Sequence, residues 1–179
     1  MSIPGFTDEG LLPIGDYELT IEDLRNSILV AGSSSSQSWD SAWRNELVNR
    51  LKVLVNQLKS IGINSIFVDG SFVEDKDHPN DIDGYFECDL KHLASGDLEK
   101  ELNLIEPDRV WTWDPSSRRP YKGYAKKQLP MWHKYRIELY PHFGQLCGIK
   151  DGFGNDMTFP AAFRKSRNGD LPKGIIKIA

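Results

Sequence analysis

A polar stretch lies between two apolar runs in the first half of the chain. The runs are NSIFVDG, residues 64–70, which is β-branched and aromatic, and DIDGYFECD, residues 81–89, in which apolar and polar residues alternate. Both patterns are typical of β-strands, and the alternation is that of a strand with one buried face. The sequence therefore predicts two strands joined by a turn through residues 71–80.

A long amphipathic helix is predicted immediately before these strands. From Trp39 to Leu58, large apolar residues recur every three or four positions, with charged residues between them. This period places the apolar side chains on one face of an α-helix, and Gly62 is a typical C-terminal stop for it. We therefore expect a helix over residues 39–58.

The pattern before this helix is less regular. Residues 1–19 hold glycines and prolines among scattered apolar residues, which predicts an extended N-terminal arm. Thr20 and Asp23 have the spacing of a helix N-cap and its acidic partner, so a short helix ending near Gly32 should follow. The serine run GSSSSQS, residues 32–38, has the composition of a linker.

The second half of the chain predicts one more helix and one more strand before an irregular end. SGDLEKELNLI, residues 95–105, suits a short helix, and YRIELYPHF, residues 135–143, suits a third strand. Residues 144–179 are Gly-rich and predict an irregular tail, closed by PKGIIKI, residues 172–178, as a short strand or terminal arm. The order of elements indicates a single α/β (α+β) domain over residues 1–179, with helices packed on a small mixed sheet.

Composition limits the classes of function. A chain of 179 residues with 39% hydrophobic content can bury a core. The net charge of -4 gives no global attraction to nucleic acid or to anionic membranes, so any phosphate-binding surface must be local. Cys88 and Cys147 are far apart and indicate neither a disulfide framework nor a zinc site. Without a signal or membrane segment, we expect a soluble, cytoplasmic protein with no membrane partner.

Two aspartates one residue apart, Asp81 and Asp83, are the first candidates for chemistry. Side chains two positions apart on a strand leave the same face, so their carboxylates repel unless one is protonated or a cation lies between them. Oxygen ligands favour Mg²⁺ or Mn²⁺. After the first strand, Gly70 lets backbone amides approach a phosphate, and the Ser71 hydroxyl can bond a phosphate oxygen. The turn would bring Ser71 near both aspartates.

A third carboxylate is expected if two metal ions take part in phosphoryl or nucleotidyl transfer. Glu138 is the best candidate, because it lies in the middle of the third predicted strand between two apolar residues that face the other way. Glu87 and Asp89 are alternatives on the Asp83 side of the second strand, further from the turn.

Residues 116–136, SSRRPYKGYAKKQLPMWHKYR, combine basic and aromatic side chains and contain no acidic residue. Basic groups can contact phosphates while rings stack on bases, so the segment suits a nucleotide, single-stranded RNA or a tRNA end. It could equally bind an acidic protein or form a solvated loop. The residues predicted to help bind the nucleotide are Arg118, Arg119, Lys126 and Lys127.

The motif Gly70-Ser71, nine further residues and Asp81-Ile82-Asp83 resembles the signature of the DNA polymerase beta-like nucleotidyltransferase superfamily. DGSFVEDKDHPNDID together with KGIIKI is also similar to small bacterial and phage proteins near this superfamily, some of them in toxin-antitoxin or phage-defence loci. The resemblance implies the nucleotidyltransferase fold. It also implies transfer of an NMP from an NTP to a protein or RNA hydroxyl, with release of pyrophosphate.

The same resemblance implies roles for individual residues. Asp81 and Asp83 would hold Mg²⁺, Glu138 would be the third carboxylate, and Gly70 and Ser71 would hold the triphosphate. One metal ion would activate the acceptor hydroxyl, and the other would neutralise the triphosphate.

Two departures from the superfamily pattern leave other functions open. The residues after Ser71 include the acidic run EDKD where many relatives have a base, and the third carboxylate is a glutamate instead of an aspartate. The chain could therefore be a catalytically inactive binding module, such as an antitoxin or an inhibitor of a cognate protein partner. A third alternative is an RNA-binding protein that acts through residues 118–136.

Overall fold

The computed structural model describes residues 3–32, 38–167 and 169–179. The predicted serine linker falls mainly on residues 33–37, which lie outside the described residues. The strands are β1 (Asp16–Leu19), β2 (Ile66–Asp69), β3 (Ile82–Glu87), β4 (Ile137–His142), β5 (Leu146–Lys150), β6 (Asp156–Thr158) and β7 (Ile175–Ile178). The helices are α1 (Ile21–Arg25), α2 (Ile28–Ala31), α3 (Ser41–Ser60), α4 (Leu90–Ala94), α5 (Asp97–Ile105), α6 (Pro130–Tyr135) and α7 (Phe159–Ala162).

Five of these strands form one mixed sheet in the order β1-β7-β2-β3-β4. β2 is antiparallel to both of its neighbours, β7 and β3, whereas β1 is parallel to β7 and β4 is parallel to β3. β5 and β6 form a separate antiparallel pair. The structure therefore confirms a mixed α+β architecture with a small mixed sheet.

The two faces of the sheet bury different sets of side chains. In β3, Ile82 and Phe86 belong to the main core, whereas Tyr85 belongs to a smaller cluster with Phe67 and Ile175. This is the alternation expected of a strand whose successive side chains point to opposite faces. We call the side that carries Tyr85 the second face, and it also carries the candidate site.

Helix α3 supplies much of the main core. Its N-cap is Asp40, whose carboxylate accepts a hydrogen bond from the Trp43 backbone N–H. The periodic leucines predicted to face the sheet are fully buried: Leu47, Leu51, Leu54 and Leu58. The prediction of this helix is confirmed, with bounds two residues later than the sequence suggested.

The strands predicted around the polar turn and at residues 135–143 are confirmed as β2, β3 and β4. The single helix predicted after Thr20 is two short helices, because Ser27 interrupts the first and caps the second with its hydroxyl. The capping box of Thr20 and Asp23 is present. The predicted helix at residues 95–105 is α5, and α4 precedes it.

The predictions of an extended arm over residues 1–19 and an irregular tail over residues 144–179 need correction. The arm ends in β1, and the tail contains β5, β6 and α7. The short strand predicted at residues 172–178 is confirmed as β7. β7 lies inside the sheet between β1 and β2, so its stability comes from partners that are distant in sequence. Among the described residues, no helix has the length and apolar character needed to cross a membrane.

Candidate functional site

Strand pairing brings three carboxylates into one row across the second face. Asp83 on β3 pairs with Asp69 on β2 and with Glu138 on β4. We call Asp69, Asp83 and Glu138 the carboxylate row. Asp81 lies immediately before β3, two positions from Asp83. The register thus places the predicted Glu138 beside Asp83 and adds Asp69, which the sequence analysis did not include.

The Gly-Ser pair forms a tight turn directly against Asp83. Residues Gly70–Val73 make a short 3₁₀ helix at the end of β2, and Gly70 has a φ of +74°. A Cβ atom at Gly70 would lie 2.9 Å from Asp83 Oδ2. Glycine is therefore needed here both for its backbone conformation and for the close approach of the Asp83 carboxylate. Ser71, the next residue, is half-buried.

Asp83 is held in a site that disfavours its charge. Its side chain is 13% exposed, and Arg167 Nη2 lies 3.1 Å from its Oδ2 atom. Burial, followed by the nearby charge of Asp81, raises the pKa of Asp83 to about 7 although Arg167 opposes the shift. Asp81 accepts a hydrogen bond of 2.8 Å from Trp132 Nε1. A further cation between the two aspartates would relieve their repulsion.

A buried lysine lies behind the turn. Lys173, just before β7, is 3% exposed. Its Nζ atom lies 3.1 Å from Asp69 Oδ1 and 2.6 Å from Glu74 Oε1, and it donates to the Gly70 carbonyl oxygen at 3.3 Å. The contact with Asp69 is an ion pair without hydrogen-bond alignment, since Asp69 Oδ1 has no hydrogen-bond partner among the described residues. Burial still raises the pKa of Asp69 to about 7, against the effect of Lys173.

Glu138 is satisfied by donors on its own side of the sheet. Its Oε1 atom accepts hydrogen bonds from the Leu129 backbone N–H at 2.9 Å and from Arg118 Nη1 at 3.3 Å. The Tyr140 hydroxyl donates to Oε2, and Arg118 Nη2 donates to the Tyr140 oxygen at 3.0 Å. Burial, followed by the charge of Glu138, raises the pKa of Tyr140. Glu138 therefore lies beside Asp83 with both of its oxygens already engaged.

The acidic spacer after the Gly-Ser turn is fixed by an arginine that the sequence analysis treated as a polar-face residue. Arg44 of α3 is fully buried, and its guanidinium donates to four backbone carbonyls at 2.6 to 3.1 Å. These carbonyls belong to Leu29, Phe72, Glu74 and Lys76. Because Glu74 also pairs with Lys173, one negative charge of the spacer is neutralised at the turn.

The predicted nucleotide-binding bases divide into two environments. Arg118 reaches the carboxylate row through Glu138, as described above. Arg119 is exposed, and its backbone exchanges two hydrogen bonds of 2.9 Å with Gln128, which close a loop. Lys126 and Lys127 lie exposed in that loop. We call residues 118–128 the basic loop.

Several side chains considered from the sequence have structural roles instead. Trp132 is fully buried, and Tyr135 is 7% exposed with its hydroxyl donating to Glu106, so neither ring is free to stack on a base. Asp89 caps α4 through the backbone N–H groups of Lys91 and His92. Glu87 lies at the opposite end of β3 from the turn. The alternatives to Glu138 as a third carboxylate are therefore outside the site.

The arrangement can be tested for its fit to a divalent cation. Asp81 and Asp83 offer hard oxygen ligands on one side of β3. Burial raises the pKa of Asp83, and the nearby charge of Asp81 adds to the shift. Within the described ranges, no group of three or more His, Cys, Asp or Glu side chains is arranged to hold a metal ion. Such an ion would depend on Asp81 and Asp83 for its ligands, and Glu138 would have to leave its present donors to join them.

Comparison with protein families gave a match over nearly the whole chain. A family described as one of unknown function, DUF6932, matches residues 4–179. The chain belongs to the DUF6932 family. The matched region of this DUF6932 protein includes the carboxylate row, the Gly-Ser turn and the segment that carries Lys173. Comparisons with curated proteins and with solved structures found no match.

The residues that the sequence analysis missed are Asp69, Lys173, Arg167 and Arg44. A signal was present for Asp69, because it precedes Gly70 and shares the strand parity of Phe67, on the second face. Arg44 falls among polar residues of an amphipathic helix, and nothing in its spacing indicates burial. Lys173 and Arg167 reach the site from a segment about 100 positions further along the chain, so only the fold brings them there.

Proposed function

We propose that this DUF6932 protein is a Mg²⁺-dependent nucleotidyltransferase, which moves an NMP from an NTP to a hydroxyl of RNA or a protein. The observation that carries the proposal is the close approach of Gly70 to Asp83, where a Cβ would lie 2.9 Å from Oδ2. A triphosphate bound by the backbone of the turn would therefore lie against the carboxylates that would hold the metal ion.

The topology supports the same proposal. A long helix precedes β2, and the Gly-Ser turn follows β2. Asp81 lies just before β3 and Asp83 lies within it, and β3 is antiparallel to β2. β4 then adds Glu138 in parallel beside Asp83. This order of elements agrees with the nucleotidyltransferase fold that the resemblance of the sequence motif implies.

Asp81 and Asp83 would hold the metal ion, because they provide paired carboxylate oxygens beside the turn. When bound, Mg²⁺ would neutralise phosphate charge and lower the pKa of the acceptor hydroxyl. Glu138 would act as the third carboxylate after releasing its hydrogen bonds from Leu129 and Arg118. Mn²⁺ has the same preference for oxygen ligands and would substitute.

Arg167 would supply positive charge that the sequence after Ser71 lacks, because its side chain is 87% exposed beside Asp83. Lys173 lies behind the Gly70 carbonyl, where it is buried and already paired with Asp69 and Glu74. In the transfer, the acceptor oxygen bonds to the α-phosphorus and the bond from that phosphorus to the bridging oxygen breaks. Pyrophosphate leaves with the electron pair, and the hydroxyl proton passes to water.

A second candidate function is a catalytically inactive binding module, such as an antitoxin or an inhibitor of a protein partner in a phage-defence setting. One observation favours it: the carboxylate row is compensated by its own chain. Asp83 pairs with Arg167, Asp69 pairs with Lys173, and Glu138 accepts from three donors. Each carboxylate of the row thus has a partner within its own chain.

Covalent labelling distinguishes these functions. The protein is incubated with each α-³²P-labelled NTP, Mg²⁺ and a cell lysate, and RNA and protein are then separated. A nucleotidyltransferase attaches label to one fraction, and the double variant Asp81→Asn with Asp83→Asn attaches none. Glu87→Gln, which removes a carboxylate at the far end of β3, should label as the wild type does. Absence of label in both fractions with all four NTPs favours the binding module.

A further inference from the structure

We infer that the basic loop, residues 118–128, binds the 3′ end of a single-stranded nucleic acid and presents its hydroxyl to the carboxylate row as the acceptor. This inference rests on the proposed function and assigns its acceptor side. It also revises the role of Arg119, Lys126 and Lys127, which the sequence analysis gave to the NTP.

The position of the loop in the sheet separates it from the Gly-Ser turn. The turn follows β2, whereas Arg118 of the loop contacts Glu138 and Tyr140 on β4. Asp83 on β3 lies between these two strands. The turn and the loop are therefore on opposite flanks of the central carboxylate.

Opposite flanks suit the geometry of the transfer. In an in-line displacement, the attacking oxygen enters opposite the leaving group. If the turn binds the β- and γ-phosphates on the β2 flank, the acceptor oxygen must enter from the β4 flank. The basic loop is the charged segment that borders this flank.

The charge of the loop selects a polyanion. The segment from Pro115 to Arg136 has seven basic residues and no acidic residue, although the whole chain has a net charge of -4. Its exposed bases have no carboxylate partner within salt-bridge distance among the described residues. These bases are Arg119, Lys122, Lys126 and Lys127. These bases are therefore available to contact the phosphates of a polyanion.

Aromatic contacts connect the loop to the metal-binding aspartates. Tyr121 and Tyr124 pack edge-on against Trp132, with ring centroids 5.1 and 4.9 Å apart. Trp132 in turn donates a hydrogen bond to Asp81. Arg136 lies over the Tyr121 ring at 4.3 Å and over the Trp132 ring at 4.0 Å. Tyr121 is 40% exposed, so its ring can contact a base while it remains packed against Trp132 and Arg136. A single strand with bases and phosphates fits this surface better than an acidic peptide does.

The test measures binding of fluorescein-labelled single strands of about 12 nucleotides, one of RNA and one of DNA, as a function of salt and without NTP. The wild type should bind at least one of them, and the tighter strand identifies the acceptor. Lys126→Gln with Lys127→Gln should reduce the slope of log K against log salt by about 1.4, since each phosphate contact contributes about 0.7. The matched control, Lys91→Gln with Lys100→Gln on α4 and α5, should keep the wild-type slope.

Three results would overturn the inference: no binding of either strand, an unchanged slope in the loop variant, or equal competition by an acidic peptide. A separate titration with Mg²⁺ and NTP keeps this test independent of the proposed function. The loop variant should bind NTP as the wild type does, and a loss of NTP affinity would return the loop to the donor side. If the wild type binds a single strand but no NTP, the proposed nucleotidyltransferase function is refuted, whereas nucleic-acid binding by the basic loop is supported.

Discussion

At the scale of single residues, Gly70 has two separable roles, one in the backbone and one in the site. Its φ of +74° strains any residue with a Cβ, and such a Cβ would meet Asp83 Oδ2 at 2.9 Å. Gly62 has a φ of +87°, but a Cβ there would meet no atom of the described residues within 4 Å. The two glycines therefore share the strain and differ only in the contact with Asp83.

We predict that Gly70→Ala and Gly62→Ala each lower the free energy of unfolding by about 1 to 2 kcal/mol, the cost of a left-handed residue. Only Gly70→Ala should also weaken binding of Mg²⁺ and NTP, because Asp83 has to move away from the turn. Urea denaturation and calorimetric titration of both variants measure the two effects. Equal NTP affinity in the two variants would refute a site at this turn.

The raised pKa of Asp83 predicts how stability changes with pH. Below about pH 4 the Asp83 carboxyl is protonated in the folded and the unfolded chain, so its burial does not lower the free energy of unfolding through ionisation. Between about pH 4 and its folded pKa of about 7, the unfolded chain releases the proton while the folded chain retains it. Stability therefore falls as the pH rises through this window, and Asp69, with a pKa also raised to about 7, adds to the fall.

We predict that Asp83→Asn stabilises the protein at pH 8 by about 2 to 4 kcal/mol, because one pKa unit corresponds to about 1.4 kcal/mol. The gain should vanish at pH 4. Urea denaturation of the wild type and the variant across this range measures it. A gain that is the same at both pH values would mean that ionisation of Asp83 is not its cause.

At the scale of secondary structure elements, Arg44 connects α3 to the polar loop between β2 and β3. Its guanidinium donates to one carbonyl of α2, that of Leu29, and to three carbonyls between residues 72 and 76. The centroid of the Trp39 ring lies 3.8 Å from the guanidinium carbon. We predict that Arg44→Lys lowers the free energy of unfolding by about 3 kcal/mol or more, since several buried carbonyls lose their donor.

The control for Arg44 lies on the same helix. Arg50 pairs with Glu46 at the surface, so Arg50→Lys should cost less than about 1 kcal/mol. Chemical denaturation of both variants provides the comparison. A small loss for Arg44→Lys would show that the loop keeps its conformation without these hydrogen bonds.

Lys173 connects the segment before β7 to the end of β2. Because it is buried against Asp69 and Glu74, we predict that Lys173→Met lowers the free energy of unfolding at pH 8 by about 3 to 5 kcal/mol. Adding Asp69→Asn should recover at least about 1 kcal/mol in a double-mutant cycle. Lys177→Met on β7 removes only a surface pair with Glu18 and should cost less than about 1 kcal/mol. Strict additivity of Lys173→Met and Asp69→Asn would contradict a direct ion pair.

These elements also show how far the sequence predicts the fold. α3, β2, β3 and β4 were predictable because each has a period or composition of its own. β1 and the internal position of β7 were not, since strands of four residues carry little pattern and their pairing joins Asp16–Leu19 to Ile175–Ile178. The sequence predicted that Gly70, Asp81, Asp83 and Glu138 would lie together, because they belong to elements that have a pattern of their own. It did not predict that Lys173 would lie behind them, because Lys173 reaches the site through the long-range pairing of β7.

At the scale of the whole molecule, basic side chains are concentrated in two segments beside the candidate site. The chain is acidic overall, yet its site lies between two basic segments: the basic loop beside β4, and the segment with Arg167 and Lys173 near β2 and β3. We propose that one segment faces the NTP and the other faces the acceptor. Composition alone predicted only that a phosphate-binding surface would be local.

We propose that Asp81 and Asp83 hold a metal ion next to a triphosphate bound by the Gly-Ser turn. Isothermal titration of each NTP with Mg²⁺ into the wild type, the Asp81→Asn and Asp83→Asn double variant, and Glu87→Gln tests it most directly. We expect at least one NTP to bind the wild type and Glu87→Gln equally. Chelation of Mg²⁺ should abolish this binding, and the double variant should not bind. No binding by the wild type, or equal binding by the double variant, would contradict it.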